Sequence, residues 1–138
     1  MCEVKSGSAW YVSGGRSTTG KLYADAGAEY VFSSYTNAGG VPLSFETVFD
    51  KAQDADVWLM KYNHPTDKTY ESLQEDYAPY ANFKAFKEKN IYHCNTAYRP
   101  YYEDFPFHPD RVLKDLIKIF HPSLLPEYEL KYFSKLAE

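Results

Sequence analysis

The 138-residue chain is read as one domain, long enough to bury a core without disulfides or a structural metal. Its 19 acidic against 15 basic residues, a net charge of −4, supply no basic footprint for nucleic acid and no polybasic anchor for an anionic membrane. No apolar run approaches the ~20 residues a transmembrane helix needs, and no signal peptide opens the sequence. Fourteen tyrosines and nine phenylalanines help bring the aromatic content to 18%. That is more polar-tipped rings than a core of this size needs, so some are expected to line a surface or a cleft.

In chain order, residues 2–12 read as a strand interrupted at Ser6, Gly7 and Ser8. A glycine-rich turn then leads into a helix over 17–26, and 29–32 returns as a strand. Ser44 suits an N-cap, and Phe45, Val48, Phe49 and Ala52 follow at i, i+3, i+4 and i+7, giving a short amphipathic helix from which Glu46 points away. The mostly apolar run 55–60 is expected as a strand covered on both faces of a parallel sheet. A polar loop over 62–68 precedes a helical region over 70–89 broken near Pro79, and 90–95 forms a further strand. His108 and Pro109 open a helix with Val112, Leu113, Leu116, Ile117 and Phe120 on one face. Pro122 ends it, and a last helix is expected over 126–136. Cys2 and Cys94 sit in apolar, strand-like stretches and read as buried thiols rather than a bridge. The alternation predicts an α/β class: a three-layer αβα single lobe, Rossmann-like, with a mainly parallel sheet of four or five strands.

Ligands approach the carboxyl ends of strands in such sheets, which makes the loops after strands the places to look. In residues 13–21, Gly15, Gly20 and Lys21 fit the phosphate-loop spacing GxxxxGK, but Leu22 stands where a hydroxyl must hold magnesium. No apolar strand ends in the aspartate that would complete the site, so a nucleotide-binding domain is an alternative short of parts, and a glycine-rich turn with hydroxyl caps is the commoner reading. Residues 96–107 gather Tyr98, Tyr101, Tyr102, Phe105 and Phe107 around Arg99, Glu103 and Asp104. Two readings stand side by side: a cleft wall that stacks on a planar or lipophilic ligand while Arg99 meets its anionic groups, or a connection that packs its own rings. The exposed rings also leave room for an interaction domain. His64, His93, His108 and His121 lack metal-ligand spacing and no serine sits in a GxSxG elbow, so no metal, cofactor or catalytic group is expected.

The order of short motifs carries more than any one of them. Trp10-Tyr11-Val12, Gly14-Gly15-Arg16-Ser17, Asp25-Ala26-Gly27-Ala28-Glu29-Tyr30, Leu43-Ser44-Phe45-Glu46 and Ala55-Asp56-Val57-Trp58 follow one another. Pro109-Asp110, Val112-Leu113, Asp115-Leu116-Ile117, His121-Pro122 and Tyr132 close the chain. Over nearly its whole length this order resembles the C-terminal lobe of the periplasmic substrate-binding proteins of iron-siderophore, haem and cobalamin ABC importers. The resemblance implies two α/β lobes joined by a backbone helix, with the first lobe and that helix outside this sequence. The start at Met1 within a strand is then the start of an excised piece. It further implies a ferric chelate, haem or corrinoid ligand held between the lobes and a membrane permease as partner. The location implied is the periplasm or another extracytoplasmic space, with lipid anchoring through the absent N-terminal part. Trp10, Tyr11, Arg16, Tyr98 and Arg99 are the expected ligand-binding wall, and Glu46, in the first turn of its helix, is the expected permease-docking carboxylate.

Overall fold

Burial alternates along β2 (Ala9–Ser13): Trp10 and Val12 face inward and Tyr11 faces solvent, the period of two that a half-covered strand requires. The computed structural model describes residues 2, 3, 5, 6, 9–36 and 39–137, so the expected start within a strand at Met1 and the strand break at Gly7 and Ser8 lie outside the described residues. Strand β2 pairs antiparallel with β1 (Lys5–Ser6) on one side and β3 (Gly40–Leu43) on the other. Between them runs α1 (Thr18–Asp25), capped by Ser17, whose Oγ accepts the Gly20 N–H at 3.0 Å. Helix α2 (Phe45–Ala52) begins where β3 ends. Ser44 stays extended and its Oγ accepts the Thr47 N–H at 3.2 Å, while Val48 and Ala52 are buried.

The second sheet is built from β4 (Trp58–Tyr62) and β5 (Ile91–Asn95), parallel and in register from Trp58 opposite Ile91 to Tyr62 opposite Asn95. Their connection holds α3 (Tyr70–Asp76), a 3-10 segment Ala78–Asn82 containing Pro79, and α4 (Lys84–Lys87). Thr69 and Ser72 form a reciprocal capping box at the start of α3. After β5 come α5 (Tyr101–Asp104), α6 (Pro109–Phe120), a 3-10 turn Pro122–Leu124, and β6 (Ser134–Lys135), which returns antiparallel to β5.

The α/β class is as expected, but the sheet is not mainly parallel with four or five strands. Among the described residues there are two three-stranded sheets, and only β4 with β5 pairs in parallel as complete strands. Local hydrogen bonding gives the reason. Over 29–32 the expected strand is a pair of turns, closed by Ser33 N–H to the Tyr30 carbonyl and Tyr35 N–H to the Phe32 carbonyl, with Tyr30 and Phe32 buried as anchors. That leaves β2 without a parallel partner across α1, and it takes β3 antiparallel instead. The helix expected over 126–136 is likewise absent, because the N–H groups of Lys131, Tyr132 and Phe133 donate to the Asp115 carboxylate rather than to helical carbonyls.

The sheets meet at the start of the chain. Cys2 bridges in parallel to Leu59 on β4, and the Glu3 N–H donates to the Leu59 carbonyl at 2.7 Å. Glu3 then takes φ = 63°, a left-handed conformation that is uncommon for a residue with a Cβ and that turns the chain away from β4. Two indoles secure this branch point: Trp10 Nε1 donates to the Cys2 carbonyl at 3.1 Å and Trp58 Nε1 to the Glu3 carbonyl at 2.7 Å. The Trp10 and Trp58 rings lie 5.8 Å apart, with Phe45, Tyr80 and Phe83 around them. Burying an aromatic side chain of 150–250 Å² is worth about 4–6 kcal/mol of transfer free energy, and this cluster joins Trp10 of one sheet to Trp58 of the other.

Candidate ligand-binding site

Because β4 and β5 are parallel, their carboxyl ends lie together, and the chain leaving each must be held there without a further strand to pair with. Asn95, the last residue of β5 and 3% exposed, supplies that hold. Its Oδ1 accepts the His64 N–H and the Ala97 N–H, both at 3.2 Å. Its Nδ2 donates to the His64 carbonyl at 2.9 Å and to Asp67 Oδ1 at 3.1 Å. One buried amide therefore fixes both the 63–68 loop after β4 and the turn after β5. The Tyr98 hydroxyl closes the pair of loops by donating to the Pro65 carbonyl.

Between these loops and the 131–134 segment is a cavity of about 400 Å³, lined by Pro65, Thr66, Asp67, His93, Asn95, Tyr98, Arg99, Tyr132 and Ser134. His93 is buried, and burial holds its pKa below 6.5, so the ring is neutral at neutral pH. Its Nδ1 is 2.6 Å from the Tyr62 hydroxyl, which also accepts the Lys68 N–H at 2.8 Å and whose own pKa burial pushes up to about 12. Arg99 is exposed and donates from Nη1 to the Lys131 carbonyl at 3.1 Å. Among the described residues no carboxylate forms an ion pair with it. A guanidinium carries five N–H donors, so Arg99 retains capacity for an anionic group.

Of the residues expected to bind ligand, Tyr98 and Arg99 are brought together on this cavity. Trp10 is not a wall residue: it is 0% exposed and enclosed by the rings described above, because its strand position faces the core. Tyr11, its neighbour on the outer face, is 55% exposed, and Arg16 is exposed in the turn between β2 and α1; neither lines the cavity. That turn serves packing. A Cβ on Gly15 would stand 2.2 Å from the Ser33 carbonyl oxygen, and one on Gly20 2.3 Å from that of Gly14, so the glycines admit close backbone approach. Glu46 is exposed in the first turn of α2 with no ion pair among the described residues. Since β2 and β3 are antiparallel, Glu46 after β3 lies at the opposite end of that sheet from Arg16 after β2.

The aromatic loop divides between its two readings. Tyr101 is buried, stacked on Phe105 with centroids 5.8 Å apart, whereas Tyr98 and Tyr102 stay exposed and Phe107 is 80% exposed. His93 and Asn95 also line the cavity, and the sequence does not single them out for binding. Their signal was present as two polar residues on one face of a strand otherwise apolar enough to be buried. A larger cavity, about 560 Å³, lies at the amino end of β4 against Tyr23, Tyr30, Asp54, Phe120 and His121. It is at the wrong end of the strand for the ligand geometry of α/β sheets. Cys2 and Cys94 are free and buried, as expected; burial raises both thiols, Cys94 to about 12, so neither is a ready nucleophile.

Comparison with known proteins places this geometry in a family. Residues 2–98 match the family described as periplasmic binding protein. Two uncharacterized lipoproteins of Methanocaldococcus jannaschii are similar to the chain, one 28% identical over 107 residues and the other 30% identical over 126. These alignments cover 78% and 91% of this chain but 24% and 31% of the relatives, so the chain spans about a quarter to a third of their length. The solved structure of the TroA-like periplasmic binding protein FepB from Veillonella parvula shares the fold, with a TM-score of 0.68 at 14% identity over 91% of this chain and 44% of that one. With a family match over most of its residues, a fold in common with a solved member and a polar cavity where strand ends converge, the chain belongs to the periplasmic binding protein family.

Proposed function

We propose that the chain is the C-terminal lobe of the substrate-binding component of an ABC importer, and that it supplies one wall of an interlobe cleft. The wall is the cavity at the carboxyl ends of β4 and β5, and Arg99 and Tyr98 are its ligand contacts. The observation that carries this reading is the exposed Arg99 guanidinium, without a carboxylate partner among the described residues, beside the exposed Tyr98 ring. Such a pair suits a ligand that combines a planar or lipophilic body with oxygen anions: an iron-siderophore, haem or a cobalamin-type corrinoid. Capture involves no bond-making step, so the role is binding and delivery rather than catalysis. Tyr11 and Arg16 serve the same wall only if the ligand reaches past this cavity.

Calorimetric titration of the chain with a ferric hydroxamate chelate, haem and cobalamin tests the reading. One of the three is expected to bind, and Arg99→Ala should weaken it about tenfold or more, the worth of a hydrogen bond to a charged group. Equal affinity of wild type and variant would remove Arg99 from the wall. Binding of none of the three would set aside these ligand classes.

Delivery requires a permease, and Glu46 is the proposed docking carboxylate because it is exposed at a helix start and free of internal ion pairs among the described residues. The lipoprotein names of the two relatives support an extracytoplasmic setting, with anchoring through a part outside this chain. In cells carrying the whole protein, Glu46→Arg should abolish most uptake while leaving ligand affinity intact, because charge reversal at a desolvated contact costs several kcal/mol. Normal uptake would end the docking role.

A further inference from the structure

Asp115 is 0% exposed on α6, and among the described residues no cation forms an ion pair with it. A buried carboxylate without a counter-ion is stable only if hydrogen-bond donors replace its water. Here the donors come from one short stretch of chain. Asp115 Oδ1 accepts the Tyr128 hydroxyl at 2.6 Å and the Lys131 N–H at 3.0 Å, and Oδ2 accepts the Tyr132 N–H at 2.8 Å and the Phe133 N–H at 3.0 Å. This gathers the 128–133 segment, part of which forms one side of the cavity.

The Tyr132 N–H and the Lys131 carbonyl are the two ends of a single peptide group. Asp115 holds the N–H end, and Arg99 Nη1 donates to the carbonyl end at 3.1 Å. A peptide dipole is positive at its N–H and negative at its C=O. A carboxylate at the first and a guanidinium at the second therefore favour the same orientation, and each polarises the bond that serves the other. We infer that Asp115 is a positioning residue for Arg99, acting through the Lys131–Tyr132 peptide. An exposed arginine has several rotatable bonds to immobilise on binding; anchoring it beforehand from the core reduces that cost and fixes where an anionic ligand group must sit. The consequence for affinity rests on the ligand-wall reading of Arg99, but the relay does not, and its test needs no ligand.

In Asp115→Asn the side chain keeps its shape and loses its charge. Arg99 guanidinium rotation, followed by nitrogen-15 NMR on protein shown to be folded by near-ultraviolet dichroism, should become about five-fold faster, the equivalent of one ordinary hydrogen bond. An unchanged rotation rate in the folded variant would overturn the proposal. Should the variant fail to fold, the relay is read from its other end. Arg99→Ala alters an exposed side chain, and amide exchange at Tyr132 should then quicken about five-fold, with a smaller change at Phe133, whose N–H belongs to the next peptide. Equal Tyr132 exchange in wild type and Arg99→Ala would overturn the relay. A selective Tyr132 change would support it whatever the ligand titration gives.

Discussion

Around Trp10, the rings of Tyr80, Trp58, Phe83 and Phe45 stand 5.7 to 6.4 Å away, centroid to centroid, and exclude water. In the loop after β5, Tyr98 is 64% exposed, Tyr102 61% and Phe107 80%. The two regions draw on the same residue types and use them oppositely. In the first region the alternation of β2 turns Trp10 inward, and Trp58 on β4, Phe45 on α2, Tyr80 on the 3-10 segment and Phe83 just before α4 close around it. The stretch after β5 carries one short helix, α5, which buries Tyr101 and leaves Tyr102 exposed, and polar anchors hold the rest: Asn95 on two loops, Tyr132 on Asp104 at 2.9 Å, Arg99 on Lys131. An aromatic-rich chain can thus bury some rings in a core and leave others exposed near a cavity, according to the backbone that bears them.

The largest expected effect that would break this comparison is at its buried pole. Trp10→Ala should cost about 3–5 kcal/mol, as for large aromatic truncations in cores, read from urea unfolding. A loss under about 1 kcal/mol would mean that the ring cluster is not the joint between the sheets. A smaller effect is expected beside the cavity. Burial holds the His93 pKa below 6.5, so on acidification the unfolded chain takes up this proton first, and stability falls as pH drops through about 6.5 toward the folded value. His93→Gln should flatten that part of the profile, and identical slopes for variant and wild type would refute the assignment. The smallest effects belong to the exposed pole: Tyr102→Ala and Glu46→Arg should each shift stability by no more than about 0.5 kcal/mol.

Much of the fold was legible. Ser44 and the i, i+3, i+4 pattern located α2, Pro109 and Pro122 bracketed α6, and the apolar runs located β4 and β5. Sheet pairing was not legible, because it depends on partners distant in sequence. The stretch 29–32 has strand-like residues yet closes turns, and β2 then pairs with β3. The helix proposed over 126–136 failed for a similar reason, since a carboxylate on α6 takes the backbone donors it would have used. Tyr98 and Arg99, expected together in the loop after a strand, line one cavity there. Trp10 is buried because the alternation of β2 turns it to the core, and Asn95 and His93, a polar pair in a buried strand, find their partners on β4 and in a loop distant in sequence.

The central claim is that ligand meets this lobe at the carboxyl ends of β4 and β5 and not at the larger cavity by their amino ends. Amide chemical-shift mapping of the chain, titrated with a diamagnetic gallium hydroxamate chelate in place of the ferric one, tests it most directly. The account predicts shifts confined to residues 64–67, 95–99 and 131–134. Shifts centred on residues 27–31 and 50–57, with the Arg99 region silent, would contradict it.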